Sequence, residues 1–201
     1  KNIKTLPYKI KRIVLTDIIK ITSKKKNLNK YINIVDPLIM GVLNLTPDSF
    51  SDGGLYNESK KAFSHIRNMI SSGADIIDIG GESTRPGSKN MSDKKEWKRL
   101  KIVISNFKKK FPKTFLSIDT RKSDIMLRAI KYKSDLINDV SGFNYDDKAI
   151  NRIKKYDVWK VLHHMQGTPN TMQIKPSYKN VLLDIYDFFE KKINIDFKKF
   201  K

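Results

Sequence analysis

From residue 38 onward, short apolar runs alternate with longer stretches in which apolar residues recur every three or four positions. Few folds accept that alternation. The runs occupy 38–43, 76–79, 114–118, 136–137 and 158–162. Each is too short for a helix, and its mainly apolar character suits a strand of a buried parallel sheet. Between them, helical periodicity is expected near 59–72, 93–110, 123–131 and 146–155, with a last helix over about 178–192. In the first of these, Ala62, Phe63, Ile66, Met69 and Ile70 line up as one buried face. Strand, helix, strand in regular succession means βα units around a parallel sheet. Five such units are legible, and polar residues cluster after each strand: Asn44, 80–87, Asp119, Asn138 and 163–168. A doubly wound sheet would gather ligands only near its switch point. Five successive strand ends carrying polar groups favour a (β/α)8 TIM barrel, of which this chain holds about the first five units.

The 201 residues fit one domain, and no apolar run approaches the roughly 20 residues that cross a bilayer. There is no cysteine, so disulfides and thiolate metal sites are excluded. A cytoplasmic protein without a membrane partner is expected. The net charge of +20 invites a nucleic-acid reading, but seven of the 41 basic residues are arginine and the rest lysine, scattered in short groups. Base-edge and phosphate recognition favours arginine forks, so solvated surface lysine is the better account and no specific nucleic-acid partner is expected. Residues 1–36 read as an N-terminal extension or a hairpin closing the barrel bottom, and 37–201 as a partial barrel domain.

Chemistry concentrates at the strand ends. The segment Met40-Gly-Val-Leu-Asn-Leu-Thr-Pro-Asp-Ser-Phe-Ser-Asp-Gly-Gly54 leaves a strand at Asn44 and enters a polar loop. Within it, Phe50 is either packed back on the barrel or kept for a ligand. In Gly73-Ala-Asp-Ile-Ile-Asp-Ile-Gly-Gly-Glu-Ser-Thr-Arg-Pro-Gly-Ser88, Gly80 and Gly81 allow close approach of a ligand or a neighbour. Ser83, Thr84 and Arg85 then offer hydroxyls and a planar cation, groups that suit a pyrophosphate, or else an ordinary turn with a surface arginine. Asp119 ends the apolar strand of Ser117-Ile-Asp-Thr-Arg121; a carboxylate there needs a partner, or it N-caps the next helix. Asn138 and Asp139 could bind or close a turn. His163 and His164 are adjacent in an extended segment and should point to opposite faces, which makes no metal pair.

Taken in this order and spacing, the five segments resemble dihydropteroate synthases over roughly residues 36–173, the first two almost residue for residue with that family's signatures. The resemblance implies a (β/α)8 barrel that displaces pyrophosphate from 6-hydroxymethyl-7,8-dihydropterin pyrophosphate with the amine of p-aminobenzoate. It implies Asn44 as a ligand of Mg2+, Thr84 and Arg85 on the diphosphate, and Asp119 and Asn138 on the pterin edge. Phe50 and Pro86 would wall the p-aminobenzoate site, where sulfonamides compete, and Asp52 and Arg85 would assist the chemistry. The family is commonly homodimeric.

That family's later motifs, an Asp-Pro-Gly segment, a glycine-loop lysine and a terminal Arg/His pair, do not occur in these 201 residues. The first residue is lysine, and the chain reads as a piece of something longer, expected to be inactive by itself. Two other readings share some of these features. A pterin-binding methyltransferase-like barrel has no use for Ser83-Thr84-Arg85-Pro86, and a non-enzymatic basic binding module has no use for five polar strand ends.

Overall fold

The chain divides into a segment up to Leu38 and a unit from Ile39 onward, and the second is treated below. The structure is a computed structural model that describes residues 37–46, 54–83, 90–168 and 171–194, with 54–57 described by their backbone. The expectations for residues 1–36 lie outside these.

Among the described residues the order is β1 (Met40–Asn44), α1 (Gly54–Ser71), β2 (Ile76–Gly80), α2 (Asp93–Lys110), β3 (Phe115–Asp119), α3 (Ser123–Lys131), β4 (Leu136–Asp139), α4 (Ala149–Ile153), β5 (Trp159–Leu162) and α5 (Val181–Lys192). The strands form one sheet in sequential order, β1-β2-β3-β4-β5, every pair parallel. Among the described strands the order does not reverse, so they contain no switch point. The expected architecture holds: these are five consecutive units of a (β/α)8 barrel. Helix α4 is shorter than its periodicity suggests, because Asp146 is engaged otherwise. Its Oδ1 accepts from the Lys148 N–H at 3.0 Å, while Oδ2 accepts from the Ser123 N–H at 2.9 Å and so caps α3 from a distance in sequence.

Alternation along each strand separates two chemistries. Leu43, Ile77, Ile79, Leu116, Ile118 and Ile137 face the helices and are fully buried or nearly so. Against them pack Ala62 and Ile66 of α1, Leu100, Val103, Ile104 and Phe107 of α2, and Ile125, Met126 and Ala129 of α3. The apolar stripe predicted for α1 is thus the one it buries, with Phe63, Met69 and Ile70 packed at its margin. Gly81 permits the approach of α2: a Cβ there would lie 3.0 Å from Leu100 Cγ and 3.1 Å from Glu96 Cγ.

Two aspartates repeat one device where a helix turns into the next strand. Asp75 precedes β2 and accepts from the Ile39 N–H at 2.8 Å; Asp135 precedes β4 and accepts from the Leu116 N–H at 2.7 Å and from Lys108 Nζ at 2.5 Å. Each holds the start of the preceding strand, which sets the register of that pair. Among core side chains Phe107 is fully buried and stacks obliquely on Phe111 at 5.4 Å between ring centroids. Phe107→Ala is expected to cost about 3–5 kcal/mol, read as a lowered urea midpoint at unchanged slope.

Candidate active site

The opposite face of the sheet is polar, and register explains how. Asn44, Gly80, Asp119 and Asn138 are Cα partners in turn across β1, β2, β3 and β4, so they share one row at the C-terminal ends of the strands. Gly80 matters in this row for what it lacks: a Cβ there would lie 3.3 Å from Asp119 Oδ2 and 3.4 Å from Asn44 Oδ1. The glycine therefore leaves those two side chains facing one small space. One row below, Val42, Asp78, Ser117 and Leu136 are partners. Asp78 is a buried carboxylate within an otherwise apolar strand. It survives there because Ser117 Oγ donates to its Oδ1 at 2.5 Å and Asn138 Nδ2 to its Oδ2 at 3.0 Å. Burial still pushes its pKa up, offset in part by these two bonds and by His163 nearby. Asn138 Oδ1 in turn meets His163 Nε2 at 2.7 Å.

Asp119 stands apart from these bonds. Among the described residues no hydrogen bond reaches its carboxylate. Burial raises its pKa to about 7, the charges of Asp78, Asp139 and Glu96 add to the rise, and Arg121 opposes it. The alternative of a helix cap is excluded, because α3 has Lys122 as its N-cap residue, with no side-chain cap bond, and its Ser123 N–H is served by Asp146. Of the pair in β4, Asp139 does close a turn: its Oδ1 accepts from the N–H and the Oγ of Ser141 at 2.8 and 2.6 Å. Asn138 does not, and points across the sheet.

Beside this face, where β2, β3 and α2 meet, four buried charges form a closed network. Lys122 Nζ lies 2.6 Å from Glu96 Oε2 and 3.0 Å from Glu82 Oε2, which also meets Arg121 Nη2 at 3.0 Å. Thr120 Oγ1 donates to Glu96 Oε1 at 2.7 Å, and the Met91 N–H donates to Glu82 Oε1 at 2.8 Å. Two carboxylates thus face two cations with most lone pairs satisfied, the condition under which buried ion pairs are tolerated. Burial alone would raise the Glu82 pKa, but the bonds from Met91, Lys122 and Arg121 together hold it below the usual value. Likewise burial alone would lower that of Lys122, and its bonds to Glu96 and Glu82 raise it instead. Arg121 also lies 4.2 Å from the centre of the Tyr145 ring, and its Nη2 reaches Asn90 Oδ1 at 3.4 Å. Glu82 and Arg121 therefore tie residue 82 to residues 90 and 91.

Of the residues singled out in the sequence, the structure brings Asn44, Asp119 and Asn138 into one row. Phe50, Asp52, Thr84, Arg85 and Pro86 lie outside the described residues. His163 and His164 do point apart, the first to Asn138 and the second to Tyr178 Oη at 3.1 Å and the Phe188 ring at 4.6 Å between centroids. Sequence reasoning passed over Asp78, Ser117 and the Glu82–Glu96–Lys122 network. The signal for Asp78 was present, a carboxylate inside Ile76-Ile-Asp-Ile79, where nothing apolar explains it.

A parallel βα barrel with a polar row at the C-terminal strand ends, a partly buried acid among them, has the arrangement that suits a hydrogen-bonding ligand. Comparison with known proteins makes this specific. The sequence profile described as "Pterin binding enzyme" matches residues 40–197, and the chain belongs to that family. It is 39% identical over 166 residues to the dihydropteroate synthase of Haemophilus influenzae, covering 83% of this chain and 60% of that protein. It is 42% identical over 176 residues to the dihydropteroate synthase of Clostridium beijerinckii, covering 88% and 61%. A crystal structure of the Yersinia pestis dihydropteroate synthase with a sulfonamide drug superposes with a TM-score of 0.74 at 39% identity, covering 81% of this chain and 58% of that one. The chain thus spans about 60% of the length of these relatives.

Two tests follow from the electrostatics. Lys122→Met leaves the fully buried Glu96 without its cation, and a loss of about 3–5 kcal/mol is expected by urea denaturation. For Asp119, the folded pKa of about 7 lies above the ordinary 3.8. Between roughly pH 4 and 7 the folded protein holds a proton that the unfolded chain has lost, so this contribution to stability is complete below that window and disappears as pH rises through it. Carboxyl 13C titration should give a midpoint near 7, and Asp119→Asn should flatten the pH dependence of the urea midpoint there. A carboxyl midpoint near 4 would contradict the burial argument.

Proposed function

We propose that this chain is the first five βα units of a dihydropteroate synthase, which joins 6-hydroxymethyl-7,8-dihydropterin pyrophosphate to p-aminobenzoate and releases pyrophosphate. The observation that carries the reading is the row Asn44, Gly80, Asp119, Asn138 above Asp78 and Ser117. An amino-pyrimidinone presents adjacent N–H donors, and Asp119 is a partly buried carboxylate with no donor of its own among the described residues. Ionised by that contact, it would fix the pterin, with Asn138 supplying an amide beside it. The family's relatives carry the synthase name, and the Yersinia pestis structure holds a sulfonamide. By the same likeness, sulfonamides would compete with p-aminobenzoate here.

Catalysis in this scheme is positioning and charge stabilisation. As the bond from carbon to the diphosphate oxygen breaks, positive charge spreads into the pterin and negative charge leaves on pyrophosphate. Thr84 and Arg85 would hold the diphosphate, Phe50 and Pro86 would wall the p-aminobenzoate, and Asp52 would assist near the developing charge. Mg2+ fits the donors available. No group of three or more His, Asp or Glu side chains is arranged to hold a metal among the described residues, while the Asn44 amide oxygen faces the space beside Asp119. One amide with substrate phosphates and water is a set that Mg2+ accepts. When bound, the ion would neutralise charge on the departing diphosphate. Among the described residues no helix is long and apolar enough to cross a membrane; a cytoplasmic location is proposed on the likeness to the synthases. A homodimer is proposed on the same likeness.

The test is to recover the complete coding sequence and assay its product with pterin pyrophosphate, Mg2+ and p-aminobenzoate. Dihydropteroate should form, with sulfonamide competing against p-aminobenzoate. Asp119→Asn should lower kcat/KM roughly tenfold to a hundredfold, as loss of a hydrogen bond to a charged group predicts. Unaltered turnover in that variant would remove Asp119 from the pterin site.

A further inference from the structure

Asn138 is useful to a ligand only if its amide is held in one orientation, since its two ends are an acceptor and a donor pair of nearly equal size. Two side chains determine that orientation. Asp78 Oδ2 takes one N–H at 3.0 Å, so the amide nitrogen faces the buried carboxylate. The oxygen then faces β5, where His163 Nε2 lies 2.7 Å away. An amide oxygen can only accept, so ring Nε2 is the donor. All the hydrogens in the series therefore run one way, from His163 to Asn138 to Asp78, with Ser117 completing the carboxylate from the other side at 2.5 Å. The flipped amide would set its oxygen against the Asp78 carboxylate and is rejected there; with the amide oxygen thus turned to the ring, a proton on Nε2 completes the series and holds the amide from its other end.

The ring itself is well placed to do this. It follows β5 on the face shared with Asn138, while its neighbour His164 is directed into the aromatic group of Tyr178, Phe188 and Phe189. The backbone at His163 is held by close approach of the turn after β4. Gly142 there has φ +59°, and a Cβ on it would lie 2.5 Å from the His163 carbonyl oxygen.

We propose that His163 is a positioning residue for pterin recognition: its Nε2–H bond to Asn138 locks the amide so that one N–H and one oxygen lone pair are offered to the pterin edge beside Asp119. This rests on the synthase reading, and adds a residue that the strand-end motifs do not account for. His163 does not touch the reacting atoms in this scheme. It acts through Asn138, so its effect belongs to pterin binding, and neither to p-aminobenzoate nor to the chemical step.

The experiment uses the full-length protein in three forms, wild type, His163→Leu and His163→Gln. Leucine fills the space without a donor; the glutamine amide nitrogen can occupy the position of Nε2. With unchanged unfolding midpoints, His163→Leu should raise KM for pterin pyrophosphate roughly three- to tenfold, with kcat and the KM for p-aminobenzoate within about twofold of wild type. His163→Gln should recover most of the loss. An unchanged pterin KM in the leucine variant would overturn the inference, and so would a glutamine variant as poor as leucine, which would reduce the ring to packing. Nitrogen-15 spectra of the ring in the wild type give an independent reading: an Nε2–H resonance is expected, and a ring protonated only at Nδ1 would also overturn it. Wild-type protein that turns over no pterin substrate would instead overturn the synthase reading beneath.

Discussion

A β-strand has only two faces, and in this sheet one of them is committed to helices. Leu43, Ile79, Ile118 and Ile137 go to that side because three amphipathic helices bring Ile66, Leu100, Phe107 and Met126 against them. Whatever is polar must then stand on the other face, in rows set by strand register. Asp78 meets this constraint at its most severe, since its carboxylate is buried within the sheet. Its bonds to Ser117 and Asn138 join β2, β3 and β4 on the lumen side, as the apolar core joins them on the helix side. The upper row depends on this: Asn138 is oriented by Asp78, and Asp119 feels the Asp78 charge.

The charged network beside the row answers a different problem. Glu96 opens α2 and is fully buried, while Lys122 and Arg121 leave β3 at nearly the same depth. Singly, each would carry a desolvation penalty of several kcal/mol; joined, they compensate one another. Their effect is geometrical: the start of α2 is fastened to the end of β3, and residue 82 to residues 90 and 91. A site assembled from several loops needs such fixed points if its groups are to keep their distances.

The architecture was legible in the sequence because period two and period 3.6 are written in residue types, and the order of units followed from their regular succession. Asn44, Asp119 and Asn138 were legible for the same reason, being polar groups stranded at the ends of apolar runs. Asp78 showed in the sequence only as a carboxylate inside an apolar run; its purpose was not legible, because it lies mid-strand, where only its partners on two other strands explain it. Lys122 and Glu96 read as ordinary surface residues of a lysine-rich chain; they are 26 positions apart, and no local pattern shows that they meet. From the residues alone Asp119 could have capped the next helix, and Asp139 could have closed a turn. Asp146 supplies the cap instead, and Ser141, two residues beyond Asp139, makes the turn.

The paired devices at Asp75 and Asp135, and the cap that Asp146 supplies to α3, have a consequence for the barrel as a modular object. Each aspartate belongs to one βα unit and completes a hydrogen bond in an earlier one: Asp75 at Ile39, Asp135 at Leu116, Asp146 at Ser123. The first and third units are therefore finished only when their successors arrive. The repeats look interchangeable, but a division drawn after the first or the third of them severs such a bond on the earlier side. Growth of the sheet resembles the closing of a zip, in which a tooth is locked by the one that follows.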